Sequence, residues 1–311
     1  MLWLYLILGL IAFLIIIYLI SLLVIFKALS SRYSKRTDVF DNNFMHKSIK
    51  KNYTGLIQEQ VKTLKEYDMD AIHIESKDHL KLTGYYYHVS KPKAICITCH
   101  GYHSDPYLAC GVFISKALKK DHDVLAIDQR SHGNSEGSHI TFGLKESEDL
   151  LLWIEYLSSK FSLPIYIYGI SMGGLACCLA ASSFPDNVKL LIADCAPKSI
   201  ESTFKHFLSL FHLPTFLYFK PLVYLCKKYA DFNPLEGDAD KSLKESQLPI
   251  IFIHGTKDRI VPYKMGLENF ISKGSNAKFI KCEGADHAVG YLQELDKCEQ
   301  IINEYLKKLV G

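Results

Sequence analysis

Ile165-Tyr-Ile-Tyr-Gly169-Ile-Ser171-Met-Gly173-Gly174-Leu-Ala-Cys-Cys is the stretch from which the rest of the chain can be understood. Its first half alternates β-branched and aromatic residues after Pro164, the composition of a buried strand; its second half, from Leu175, has the composition of a helix. Ser171 falls on the turn between them. A strand that reverses into a helix within a few residues forces unusual dihedrals on the turning residue, and Gly169 and Gly173 keep side chains out of the crowded backbone. The expected result is a hydroxyl held out at the carboxyl end of a strand, beside a helix N-terminus that favours developing negative charge.

Outward from this turn, short apolar runs alternate with helical segments. Residues 71–75 and 82–88 are expected to form a strand pair, followed by strands at 94–99, 124–128, 165–169, 190–194, 250–254 and 278–281. Helices are expected at 107–119, 144–157, 172–181, 263–272 and 292–309. This alternation implies an α/β fold: a mostly parallel, eight-stranded sheet with helices on both faces and ligands at the carboxyl ends of its strands. The segment 199–247 is too long for a simple crossover. Phe204, Phe207, Leu208 and Phe211 recur there at helical spacing, and a second apolar stretch follows Pro214, so a small helical cap over the sheet's active edge is expected, with those four residues lining a substrate pocket.

A serine at its ordinary pKa needs a base to take its proton and an acid to orient that base. Asp258 lies just beyond the strand 250–254, and His287 in the loop after the last strand. Three separate loops at one sheet edge thus supply Ser171, Asp258 and His287, in that chain order. Asp286, adjacent to the histidine, cannot easily orient its ring and is expected to serve the turn. The oxyanion donors expected are the amides of Met172, directly after the nucleophile, and of Tyr102, in His100-Gly101-Tyr102-His103. His100 is read as structural, and His103 has no catalytic role.

Residues 1–26 are almost uninterrupted Leu, Ile, Phe, Tyr and Val; as a helix they extend roughly 39 Å, enough to cross a bilayer with tilt. The segment starts without Lys or Arg and is too long for the apolar part of a cleavable signal, so a transmembrane helix is expected. Lys27, Arg32, Lys35 and Arg36 follow it, which puts the catalytic domain on the cytoplasmic side. Nine cysteines, an odd number lying mostly in apolar runs, fit a reducing compartment better than a disulfide framework. Residues 27–68, with Lys47, Lys50 and Lys51, read as a polar juxtamembrane linker, and 69–311 as the catalytic domain. Because the triad and oxyanion donors all lie beyond residue 99, a chain beginning near Asp68 is expected to keep full activity on soluble esters. A net charge of +3, from 36 basic and 33 acidic residues, gives no argument for a nucleic-acid partner.

From about residue 70 onward the chain resembles the α/β-hydrolase superfamily, and within it the lysophospholipase, monoacylglycerol lipase and serine aminopeptidase-like branch. Asp128-Gln-Arg130-Ser131-His132-Gly133-Asn-Ser135-Glu136-Gly137 is similar to that branch's D-x-R-G-H-G-x-S-E-G loop, which normally braces the site; the chain departs from it at Ser131, where the family usually has glycine. With its apolar N-terminus it looks most similar to membrane-anchored bacterial members. The resemblance implies hydrolysis of an ester, thioester or amide through an acyl-enzyme, with no metal and no cofactor. The expected substrate is an apolar carboxylic ester or lipid. The competing readings are a serine aminopeptidase, with Glu201 or Asp231 holding the substrate's amine, and a non-catalytic membrane-bound binding module. Oligomeric state has no signal in the sequence.

Overall fold

Apolar runs of six or seven residues that can be buried on both faces are the material of a central parallel sheet, and the chain supplies them at regular intervals. The computed structural model describes residues 1–33 and 51–310. In order, its main elements are α1 (Leu2–Ser30), α2 (Thr54–Thr63), β1 (Met69–Glu75), β2 (Lys81–Tyr87), β3 (Ala94–Cys99), α3 (Pro106–Leu118), β4 (His122–Asp128), α4 (Leu144–Lys160), β5 (Ile165–Ile170), α5 (Met172–Ala180) and β6 (Val188–Asp194). There follow α6 (Ile200–Leu210), α7 (Thr215–Tyr229), α8 (Asp240–Glu245), β7 (Ile250–Gly255), α9 (Tyr263–Lys273), β8 (Ala277–Cys282), α10 (Gly290–Gln293) and α11 (Leu295–Val310).

The eight strands form one sheet in the order β1-β2-β4-β3-β5-β6-β7-β8. The pairs β1/β2 and β2/β4 are antiparallel, and every pairing from β4 to β8 is parallel. Strands β3, β4, β5 and β7 are buried along their whole length. Two apolar cores result, one on each face of the sheet. The expected strands and helices are present with ends displaced by at most three residues, except that the helix expected at 292–309 is broken at Glu294 into α10 and α11; within the segment 199–247, α6 and α7 lie between Ser199 and Asp238, which are joined by a bridge, and α8 follows it.

All nine cysteines are free and buried. Arg130, in the loop after β4, forks onto buried Asp149 with two bonds of 2.6 Å and onto Asp78 at 2.8 and 3.1 Å, tying that loop to α4. Ser131 has φ 61°, the left-handed conformation that glycine adopts most easily, and its hydroxyl donates to the carbonyl of His139 at 2.7 Å. The loop therefore keeps a glycine-like backbone with serine in place.

Two N-terminal expectations need revision. Residues 51–66, read as linker, fold: α2 packs against α3, burying Ile57, Val61 and Leu64 in the core, and the Gln60 side chain accepts from Ser115 at 3.0 Å and Lys119 at 2.9 Å. The folded body thus starts by Lys51 rather than at residue 69. Lys35, Arg36, Lys47 and Lys50 lie outside the described residues.

The apolar helix α1 is long and apolar enough to cross a membrane, and it runs to Ser30 instead of ending at 26. Its last third is docked. Leu22 and Phe26 are buried, Tyr18 donates to the carbonyl of Leu217 at 2.9 Å, and Ser21 bonds the Tyr218 hydroxyl at 2.9 Å. Beyond the helix, Arg32 donates to the carbonyls of Ser135, Gly137 and Gly133 at 2.6, 3.0 and 3.0 Å. One of the basic residues counted for membrane orientation is thereby committed to holding the chain against the body.

Candidate active site

The turn after β5 holds Ser171 at φ 56° and ψ −120°, outside the regions that side chains ordinarily favour. Its neighbours enforce this. The Ser171 amide donates to Asp194 O at 2.8 Å, its carbonyl accepts from Leu175 N at 3.0 Å, and a Cβ on Gly173 would collide with the carbonyl oxygens of Cys99 and His100. The structure brings Asp258, from the loop after β7, and His287, from the loop after β8, to this serine. His287 Nε2 lies 3.0 Å from Ser171 Oγ, and Nδ1 lies 2.8 Å from Asp258 Oδ2.

The acid is buried and fully engaged. Asp258 Oδ1 accepts from the amides of Ile260 and Val261 at 2.9 and 2.8 Å. Burial pushes its carboxyl up, but hydrogen bonds from His254, His287 and the Val261 amide outweigh this and hold it at about 2. It therefore stays ionised at any pH above about 2 and can accept from His287 Nδ1. Asp286 turns away, accepting from Arg259 at 3.1 Å and from the His287 amide at 2.8 Å, which is the turn role expected of it.

Ser171, His287, Tyr102 and Met172 line one cavity of about 230 Å³, with Phe142, Leu175, Pro197, Thr203, Phe207, Ile260 and Val261. Met172 opens α5, so its amide has no acceptor within the helix and is available to an oxyanion. A Cβ on Gly101 would lie 3.2 Å from Ser171 Cβ, so the Gly101–Tyr102 backbone runs directly past the nucleophile. Behind it, buried His100 accepts the Gln129 amide at 3.1 Å and pairs through Nδ1 with Gly101 O at 2.8 Å; it is a scaffold.

Comparison with known proteins bears on the fold. Residues 97–213 match the family model described as alpha/beta hydrolase fold. The chain is 26% identical to the Bacillus subtilis (strain 168) protein YqkD over 72% of its own length and 75% of that protein's. It is 27% identical to the Schizosaccharomyces pombe protein bem46, over 80% of this chain and 81% of that one. Among solved structures, the Pyrococcus furiosus esterase Pf2001 superposes with a TM-score of 0.64 at 24% identity, covering 79% of this chain and 93% of the esterase. The chain has the α/β-hydrolase fold.

In this α/β-hydrolase fold the four cap residues assigned to a pocket divide among different places. Phe207 alone lines the cavity at Ser171. Phe204 is buried beneath it, edge-on to Phe142 with ring centres 4.8 Å apart. Leu208 and Phe211 face α1 across a separate groove. The reason is rotational: positions spaced three and four apart share a stripe, but a cap helix wedged between a cavity and a second helix presents two sides of that stripe to different neighbours. Glu201 pairs with Lys205 and Asp231 with Lys145, and neither lines the cavity.

Several contributors carried no sequence signal. His254, at the end of β7, donates to Val261 O at 2.9 Å and sits 3.5 Å from Asp258 Oδ2, bracing the acid's loop. Tyr102 donates to the carbonyl of Ala28 at 2.8 Å, and Tyr33 stacks on His103 with ring centres 4.8 Å apart. The N-terminal segment thus supports the loop that carries an expected oxyanion donor. Among the described residues one group has metal-ligand spacing: Cys195, Asp258 and His287, with ligand atoms within 4.8 Å. Two of the three already bond each other, and burial pushes the Cys195 thiol well up, away from the thiolate a metal would need.

Proposed function

We propose that this protein is a membrane-anchored serine hydrolase that cleaves carboxylic esters with apolar acyl groups. The observation that carries the reading is the unbroken hydrogen-bond chain from Ser171 through His287 to Asp258, at 3.0 and 2.8 Å, opening into a cavity lined mainly by apolar side chains. Ser171 Oγ attacks the ester carbonyl as its proton passes to His287 Nε2, while Asp258 holds the ring and offsets the imidazolium charge. The tetrahedral oxygen is met by the amides of Met172 and Tyr102. His287 then protonates the alcohol as it leaves, and water, deprotonated by the same ring, releases the acid from Ser171.

The aminopeptidase reading needs a carboxylate facing the substrate's amine; among the described residues none lines the cavity, and Asp258 behind it is spent on His287. A panel of p-nitrophenyl esters and aminoacyl amides on the full-length protein is the direct test. Esters are expected to turn over and amides not. The pH profile of kcat/KM should show no step from the triad carboxylate above about 3, because Asp258 stays ionised down to about 2. Its depressed value also adds stability that is present above the ordinary carboxylate range and lost as pH falls toward that value. Hydrolysis of the amides in preference to esters would reject the esterase reading.

The basic residues that follow α1 support a cytoplasmic placement of the domain. Protease added to intact cells should spare the domain and digest it after lysis; digestion in intact cells would reverse the orientation.

A further inference from the structure

A helix of 29 residues is about 43 Å long, whereas the hydrocarbon core of a bilayer is about 30 Å thick. Roughly the last nine residues of α1 therefore have no hydrocarbon left to cross, and these, with Tyr18 and Ser21 just before them, dock on the body. Between it and α6 lies a groove of about 560 Å³. Ile17, Val24 and Ala28 form one wall, and Phe207, Phe211 and Leu213 the other. Ser21 is its one polar contributor, and that hydroxyl is already engaged with Tyr18 O and Tyr218. The groove begins on the part of α1 where Ile17 and Val24 are still exposed, at 47% and 60%, and ends at the body. Phe211 on its wall is itself exposed at 73%, and Phe216 in the first turn of α7 at 87%. An apolar mouth of this kind, beside a membrane-length helix, belongs at the level of the headgroups.

The far end of the groove meets the active site. Phe207 lines both the groove and the Ser171 cavity, and Ala28, in the groove wall, holds the hydroxyl of Tyr102, which lines the cavity. One phenyl ring and one phenol separate the two spaces. We propose that the groove between α1 and α6 is a lateral portal, through which the acyl chain of an ester dissolved in the bilayer reaches Ser171, with Phe207 as its gate. This rests on the serine ester hydrolase reading and adds the route and the physical state of the substrate. The chain of the lipid never has to enter water, because the wall it leaves the bilayer along is the protein's own membrane helix. The ester group, arriving last, meets Ser171 and His287 at the end of the route.

The test uses the full-length protein in vesicles and a long-chain alkyl fluorophosphonate carrying a diazirine near the end of its chain. Ser171 Oγ displaces fluoride at phosphorus, its proton passing to His287, and irradiation then reports where the chain end lies. Crosslinks to residues 17–29 or 207–213 are expected. Labelling of Ser171 with crosslinks confined to other parts of the body would overturn the portal while leaving the hydrolase reading intact. Failure to label Ser171 would overturn the hydrolase reading and the portal with it. An independent arm fills the groove from its exposed side with Val24→Trp. Turnover of a long-chain monoacylglycerol in vesicles should fall about tenfold, while p-nitrophenyl acetate turnover changes by less than about twofold. Unchanged long-chain turnover, or an equal loss on both substrates, counts against the portal.

Discussion

Ser171→Ala is expected to lower kcat for ester hydrolysis by roughly a millionfold and to abolish fluorophosphonate labelling, with the fold unchanged. The size of the effect follows from the geometry. Without Oγ nothing accepts the acyl group, and His287, 3.0 Å away, has no proton to take. What survives is the stabilisation of a tetrahedral oxygen by the amides at Met172 and Tyr102, acting on a water molecule that no group positions. Stability should move by no more than about 1 kcal/mol, because one hydrogen bond is lost and the strained backbone of the turn is fixed by its neighbours rather than by the serine side chain. Denaturant unfolding of the variant beside the wild type checks this half. Probe labelling at a serine other than Ser171 in the wild-type protein would reject the assignment.

The strands, the chain order of the triad candidates and the cap could be read from the sequence because each has a local pattern: fully buried strands are continuous apolar runs, and turns carry glycine, proline and aspartate. Backbone contributions have no such pattern. Nothing in the identity of Ala28 signals that its carbonyl holds Tyr102, and nothing in Gly133 or Gly137 signals that their carbonyls receive Arg32. The docked face of α1 was equally hidden, because a helix apolar all round has no stripe to mark which side meets protein and which meets lipid. The helix α2 was legible in principle. Ile57, Val61 and Leu64 stand at i, i+4 and i+7, but the residues between them are mostly polar and the apolar set is only three deep, so the period is weak. Of the four pocket residues only Phe207 reaches the cavity, for a different reason: helical spacing identifies a face without saying how many partners share it.

A chain beginning at Asp68, which keeps every proposed catalytic group, is expected to aggregate or to melt far below the full-length protein instead of working normally on soluble esters. Removing α2 withdraws Ile57, Val61 and Leu64 from the core against α3, where each is at most 5% exposed. At roughly 1.5–3 kcal/mol for each buried aliphatic side chain, the loss is about 5–9 kcal/mol. The whole stability of a typical domain is only about 5–15 kcal/mol. The loss also strands Gln60's partners, Ser115 and Lys119, and opens apolar surface on α3 to other chains. A chain beginning at Lys51 separates the two N-terminal roles. It retains α2 and should fold, but it lacks the Ala28 carbonyl that anchors Tyr102, the Tyr33 ring on His103 and the Arg32 clamp on the loop after β4. With the oxyanion loop free to shift by about an ångström, kcat/KM for p-nitrophenyl acetate should fall by about tenfold to a hundredfold while the melting temperature changes much less than in the shorter chain. Adding back residues 28–33 without the rest of α1 should recover most of that loss if these contacts are its cause. Full acetate activity in the Lys51 chain would mean that the N-terminal segment only tethers the enzyme, and a stable, active chain from Asp68 would mean that α2 contributes nothing the core needs.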